Sequence, residues 1–291
     1  MKFEVSHRTT YRYSEPVVQS QHVVHLAPRQ NPAQIIHRHS LIIEPAPTMR
    51  HDGYDAFANP TTALEIERPH EDLVLCARSI IETSPPLYVD ASSTTPWDAL
   101  DDVLAPVGGL VDLDVVQYRN PSGLTNASFE IADYALASFT PGRPVLEAAQ
   151  DLMCRIYRDF KFDPTATDVS TPVSRVFIER RGVCQDFAHF ALACMRALRV
   201  PSKYVSGYIL THPPPGQPKL QGADASHAWI SVWSPQSGWQ GLDPTNGIVA
   251  SEEHIVVAEG RDYNDVCPIT GVLLGGGKHS VAVAVDVVPI S

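Results

Sequence analysis

Apolar and polar positions alternate from the first residues of the chain: Phe3, Val5, His7, Thr9, Tyr11 and Tyr13 fall between Lys2, Glu4, Ser6, Arg8, Thr10 and Arg12. A period of two held this long predicts a strand with one buried face. Further strand-like runs at Gln21–Leu26, Ile35–Glu44, Asp55–Ala58 with Thr62–Ile66, and Leu73–Glu82 are separated by Pro, Asn and Gly. Strands at this spacing predict an antiparallel, β-sandwich-like domain over residues 1–85. His37 and His39 share one face of a strand, but no Cys or acidic residue stands beside them in the sequence, so they read as a solvated face rather than a metal pair.

The period then changes. Ser84–Pro96 is rich in Pro and Ser and predicts a linker, while Trp97–Ser122 has a Gly pair and a short Val/Leu run without a clean repeat. Helical spacing begins at Asn126–Phe139 and is strongest over Pro144–Phe160, where Val145, Ala149, Leu152, Ile156 and Phe160 form one stripe behind an initial Pro. Thr171 and Pro172 open another short helix that runs to about Arg180. Residues 86–143 therefore read as a linker and helical connection, and 144–291 as an α+β core with C-terminal strands.

Within that core, RRGVCQDFAHFALACMRAL (180–198) carries apolar residues Phe187, Ala191, Cys194, Met195 and Leu198 at spacings of three and four, one buried helix face. Cys184 falls in the first turn, where unpaired N–H groups and the macrodipole favour negative charge. Asp186 suits the same end of the dipole, and Gly182 leaves room for a chain or substrate to approach the thiol. Cys194, on the apolar face, reads as core. After Pro201 the period returns to two: Lys203–Leu210, Ser226–Trp233 and Trp239–Leu242 predict three antiparallel strands, with Thr211–Asp224 a Pro- and Gly-rich loop. Pro213–Gly222, inside it, is a candidate lid. His227 lies near the start of one strand and Asp243 at the end of the next, so a hairpin can set them side by side.

Composition narrows the class. The chain has 291 residues, 44% hydrophobic and 19% charged, as in an ordinary globular protein of about two domains. A net charge of −11 without a basic run argues against a nucleic-acid partner. No run of about 18 apolar residues predicts a membrane span, and the charged, alternating N-terminus is unlike a signal peptide, so a cytoplasmic location is expected. Five widely spaced cysteines without CxxC fit neither a disulfide framework nor a zinc ribbon, and no HExxH block supports a metallohydrolase.

Cys184, His227 and Asp243 together have a chemical logic. A thiolate nucleophile needs a base that holds its proton and later returns it to a leaving amine, and imidazole does both near neutral pH. The imidazole needs an acceptor that sets its tautomer, and a carboxylate on the next strand supplies one. These residues and their neighbours, RRGVCQDFAHF, KYVSGYI, DASHAWISVW and GWQGLDPTN, resemble the blocks of the bacterial branch of the transglutaminase-like superfamily, papain-like cysteine enzymes. HRTTYRY, LAPR and IERPH in the first 85 residues are similar to the β-rich domain that precedes the core there, and the tail from His254 also looks like theirs. The resemblance implies Cys184 as nucleophile, His227 as general base and Asp243 as orienting carboxylate on a papain-like core. It implies acyl transfer on an amide of a protein or peptide substrate.

Two departures limit what carries over. Animal members supply an indole N–H to the oxyanion from an upstream Trp, and Trp97, Trp229, Trp233 and Trp239 offer no close match. The Cys184 backbone N–H is the expected donor, with Gln185 and Tyr204 as side-chain candidates and Trp229 as a candidate cleft wall. No calcium-binding loop is present, and no cofactor or metal is expected. Hydrolysis is the expected fate of the thioester, because transfer needs a second site for an amine; transamidation is the alternative. A non-catalytic binding module is disfavoured, since all three positions are filled. The pattern says nothing about oligomeric state.

Overall fold

The computed structural model describes residues 1–87, 89–105, 112–211, 224 and 226–290. Its first element, β1 (Lys2–Val24), is one 23-residue strand. The alternating segment and the Gln21–Leu26 run are largely parts of it, and Phe3, Val5, His7 and Thr9 form its buried face. β2 (Gln34–Glu44), β3 (Met49–Tyr54), β4 (Pro60–Ile66) and β5 (His70–Thr83) complete the N-terminal strands in the order β2-β5-β1-β4-β3. β5 pairs the first half of β1, with Phe3 opposite Ile81, whereas β4 pairs the second half, with Ser20 opposite Ile66.

This change of partner along β1 curls the sheet. Arg50 Nη1 on β3 donates to the Leu41 carbonyl on β2 at 3.0 Å, so the two ends of the strand order approach each other. Val17, Val24, Leu41, Ile43, Leu64, Ile66, Leu73 and Leu75 fill the space between. The sandwich-like packing arises inside one sheet. Asp55–Ala58 is a turn rather than a strand, because Asp55 Oδ1 accepts the N–H groups of Phe57 and Asn59, both at 2.8 Å. The strand lies just before it, as β3. His37 donates to Glu82 at 2.7 Å and His39 pairs with the Ser79 hydroxyl at 2.9 Å, each with its own neighbour across the sheet.

The connection is made of short pieces, including α1 (Leu100–Val103) and α2 (Leu113–Val116). Longer helices follow as α3 (Phe129–Leu136) and α4 (Val145–Asp159), the latter starting one residue after Pro144, which serves as its N-cap. β6 (Lys161–Phe162), α5 (Val173–Glu179) and β7 (Arg181–Gly182) lead into α6 (Cys184–Ala197). Phe190, Ala191, Leu192, Cys194 and Met195 of α6 are buried, and each large apolar side chain there contributes about 2 kcal/mol by leaving water. β8 (Ser202–Ile209), β9 (Ser226–Ser234) and β10 (Gly238–Asp243) are the three strands expected after the helix. β11 (Ile248–Val249) and β12 (His254–Gly260) extend them into a five-stranded antiparallel sheet, β11-β10-β9-β8-β12. Tyr204, Ala228, Ile230, Leu242 and Ile255 from this sheet share the core with α6. The loop at 212–223 and the candidate lid within it lie outside the described residues.

After α7 (Tyr263–Val266) the chain returns to the N-terminal sheet. β13 (Ile269–Gly275) and β14 (His279–Ile290) run along β1 in succession, Val24 opposite Ile269 and Phe3 opposite Pro289. Phe3, Val5, Ile81, Val285 and Val287 join the core around α6, which binds the two sheets together.

Candidate active site

Cys184 is the first residue of α6, and the cap explains why the helix starts there. Val183 is extended, and its N–H donates to Asp186 Oδ2 at 2.7 Å, so the first-turn carboxylate folds back over the helix start. The Thr167 hydroxyl donates to the same oxygen at 2.6 Å. Burial pushes the Asp186 carboxyl above its usual range, against the pull of these two hydrogen bonds. Gly182 is needed for this cap: a Cβ there would lie 2.6 Å from Asp186 Oδ2. The space beside Gly182 is thus filled by Asp186, with β6 paired alongside, rather than kept for a substrate.

The base and its acceptor come from the sheet. Leu242 sits opposite Ile230 in the β9–β10 pairing, which carries Asp243 to the face of the sheet turned away from α6, the face that also bears His227. Gly207 of β8, opposite His227, admits the ring of Trp229, which a Cβ would meet at 2.6 Å. His227 Nε2–H donates to Asp243 Oδ2 at 2.7 Å, leaving Nδ1 to face the thiol. Asp243 is fully buried and accepts four further hydrogen bonds. The N–H groups of Thr245 and Asn246 reach Oδ1 at 2.9 and 3.2 Å, and Asn246 Nδ2 and His254 Nε2 reach Oδ2 at 2.7 and 3.3 Å.

The electrostatics follow from this wiring. Burial disfavours both charges, yet the hydrogen bonds from His227, His254 and Asn246 and the nearby imidazole hold Asp243 well below the usual carboxylate range. Burial likewise opposes charge on His227, but the hydrogen bond to Asp243, the Cys184 side chain beside the ring and their charges raise its pKa to about 9. At neutral pH the ring is an imidazolium.

Atoms of His227, Asp243 and His254 lie within 4.8 Å of one another, a spacing suited to a cation. The hydrogen bonds oppose that use. The Ser251 N–H donates to His254 Nδ1 at 3.1 Å, so the ring proton sits on Nε2 and that atom has no lone pair for a metal.

A cavity of about 360 Å³ opens at Cys184. Gln185, Tyr204 and His227 line it from the core, and His7, Thr9 and Tyr11 of β1 with Val281 and Val283 of β14 form the opposite wall. Tyr204 is buried, and burial foremost pushes its hydroxyl well above the usual range, so it remains a proton donor at any working pH. Gln185 is half-buried, with its amide 3.4 Å from the Val169 carbonyl. Cys267, a second thiol in this cavity, is hydrogen-bonded to the Ile269 carbonyl at 3.3 Å. Trp229 does not line it. Its ring stacks behind His227, 5.9 Å between centroids, and faces a second cavity on the other side. His189 accepts the Tyr263 N–H at 3.2 Å, buried and away from the thiol.

Comparison with known proteins gives the family and the fold. Residues 3–82 match the bacterial transglutaminase-like N-terminal region, and 134–244 match the transglutaminase-like superfamily core. The chain belongs to the transglutaminase-like superfamily. An uncharacterised protein of Mycobacterium tuberculosis is 41% identical to this transglutaminase-like chain over 99% of its length and 93% of the relative's. A segment covering 33% of the chain is 29% identical to a protein-glutamine gamma-glutamyltransferase of Pseudomonas aeruginosa, of which it covers 16%. In structure the fold is shared with a candidate cysteine protease from Cytophaga hutchinsonii, with a TM-score of 0.76 at 20% identity over 100% of this chain and 92% of that one. His254 and Asn246 are the site residues that pattern reading passes over. Asn246 stands inside LDPTN, three residues past Asp243, where an Asx turn supplies a signal. His254 has none, because its strand meets the site only through β8, at the far edge of the sheet.

Proposed function

We propose that this protein catalyses thiol-dependent acyl transfer on an amide or peptide bond, with Cys184 as nucleophile, His227 as acid and base, and Asp243 as the carboxylate that orients and charges the imidazole. The buried Nε2–H···Oδ2 contact of 2.7 Å between His227 and Asp243, beside a thiol at a helix N-terminus, carries the reading. In the first step the Cys184 sulfur bonds to the substrate carbonyl carbon while charge builds on its oxygen near the start of α6, where the Cys184 N–H is available. His227 then gives its proton to the leaving nitrogen, the C–N bond breaks, and a thioester remains. Water, deprotonated by His227, attacks the thioester and releases the acid and the free thiol.

Hydrolysis is the favoured second half, because the first cavity is open to solvent between the two sheets. Transamidation is the second reading, supported by the segment shared with the Pseudomonas aeruginosa gamma-glutamyltransferase. A protein or peptide is the proposed substrate, held in a cleft whose walls are side chains from the faces of β1, β8, β9 and β14. Among the described residues no helix is long and apolar enough to cross a membrane, and the described cysteines are free. A reducing compartment such as the cytoplasm suits a thiol nucleophile.

The test incubates the protein with glutamine-containing peptides, with and without a primary amine, and weighs the products. A mass gain of an acid or a cleaved peptide marks hydrolysis; an amine adduct marks transfer. Either product must vanish in Cys184→Ala, and a product that persists there refutes the proposal.

A further inference from the structure

The second cavity, about 740 Å³, lies on the face of the five-stranded sheet turned away from α6. Arg29, Lys203 and Glu259 give it polar walls, so it is roomy and polar enough to hold water. Asp243 is absent from its lining and fully buried, while His254 and Trp229 are part of that lining. His254 donates to Asp243 Oδ2 at 3.3 Å and meets the Trp229 ring edge-on, 5.2 Å between centroids. The imidazole therefore stands between the cavity and the carboxylate, occupying a hydrogen-bond position that a water would otherwise take. The Ser251 N–H on Nδ1 keeps it in the donor tautomer.

We propose that His254 is a positioning residue: it seals Asp243 from the second cavity, and by keeping the carboxylate dry it keeps the Asp243–His227 interaction strong. This inference rests on the triad reading above. Water reaching Asp243 would screen its charge and loosen its hold on the imidazolium, since the attraction scales inversely with the local dielectric. His227 faces Cys184 from α6, Asp243 from β10 and His254 from β12, and across the first cavity His7 and Tyr11 from β1, Tyr263 from α7 and Cys267 after it. None of the last four bonds its ring, so the seal acts through Asp243.

The experiment compares wild type with His254→Ala, which opens the wall, and His254→Phe, which keeps it closed without a donor. The His227 titration midpoint is read by NMR of the ring, and Cys184 reactivity by iodoacetamide labelling at pH 6.5. The seal predicts that His254→Ala lowers the midpoint by about one pH unit and slows labelling about tenfold, while His254→Phe stays near wild type. An unchanged midpoint in His254→Ala overturns it, and so do equal losses in Ala and Phe, which would assign the effect to the hydrogen bond alone. His254→Ser carries the same expectation as Ala if that variant fails to fold. A wild type whose Cys184 labels no faster than Cys267 refutes the triad reading, whereas the His227 midpoint needs no catalysis and reports on the seal separately.

Discussion

Replacing Asp243 by Asn keeps the shape of the site and removes its charge. The carboxylate accepts three hydrogen bonds at Oδ2 and two at Oδ1, so the new amide nitrogen meets three donors in one orientation and two in the other. The lesser conflict turns the nitrogen toward the N–H groups of Thr245 and Asn246 and leaves an oxygen for His227. Geometry at the imidazole survives, and the ion pair does not. His227 is raised from 6.5 to about 9 in the native protein, which corresponds to about 3 kcal/mol in favour of the imidazolium, shared between Asp243 and Cys184. With Asp243 neutral, burial becomes the dominant influence and the midpoint falls below 6.5. The Cys184 sulfur then has no imidazolium beside it. Labelling by iodoacetamide at pH 6.5 is expected to slow by about 100-fold, and turnover to fall by on the order of 10³–10⁴. The assays are ring NMR of His227 and the pH dependence of labelling followed by peptide mass. An Asp243→Asn protein that keeps a His227 midpoint near 9 and wild-type labelling would refute the account of how the site is charged.

Other consequences are testable in the same preparations. Gly182→Ala pushes a methyl against Asp186 Oδ2 and displaces the carboxylate from the start of α6; urea unfolding should show a loss of about 1–3 kcal/mol, with slower Cys184 labelling. His189 is buried with its pKa lowered to about 4, chiefly by burial, so the unfolded chain binds a proton there between pH 6.5 and 4 that the native protein refuses. Stability is therefore lost as pH falls through that window. His189→Gln, which can still accept the Tyr263 N–H, should lose about 2 kcal/mol less than wild type between pH 7 and 4.5 by urea unfolding.

Element type was legible wherever a buried face imposed a period. The alternation in β1 and the stripe in α4 and α6 come from side chains that must leave water on one side only, and that demand is written residue by residue. Asp55–Ala58 misled the pattern because an Asx turn hides in a β-rich stretch, its hydrogen bonds made by a side chain rather than by spacing. The meeting of Cys184, His227 and Asp243 was legible because helix start, strand start and turn each left a local mark. Trp229 shares its strand face with His227, as alternation requires, but which cavity that face looks into depends on where α6 lies.

By itself the sequence determined most of the elements, the succession of a β-rich region and an α+β core, and the residue types able to run nucleophilic chemistry on a thiol. These depend on short-range periodicity and on side-chain pKa values carried by each residue. The tertiary structure decided what no local pattern encodes. β13 and β14 return to β1 across the length of the chain, so the N-terminal sheet becomes one wall of the cavity at Cys184. β12 pairs with the far side of β8 and delivers His254 to Asp243. Contacts of this kind join residues distant in sequence, and their energies depend on which surfaces meet and how dry the meeting is.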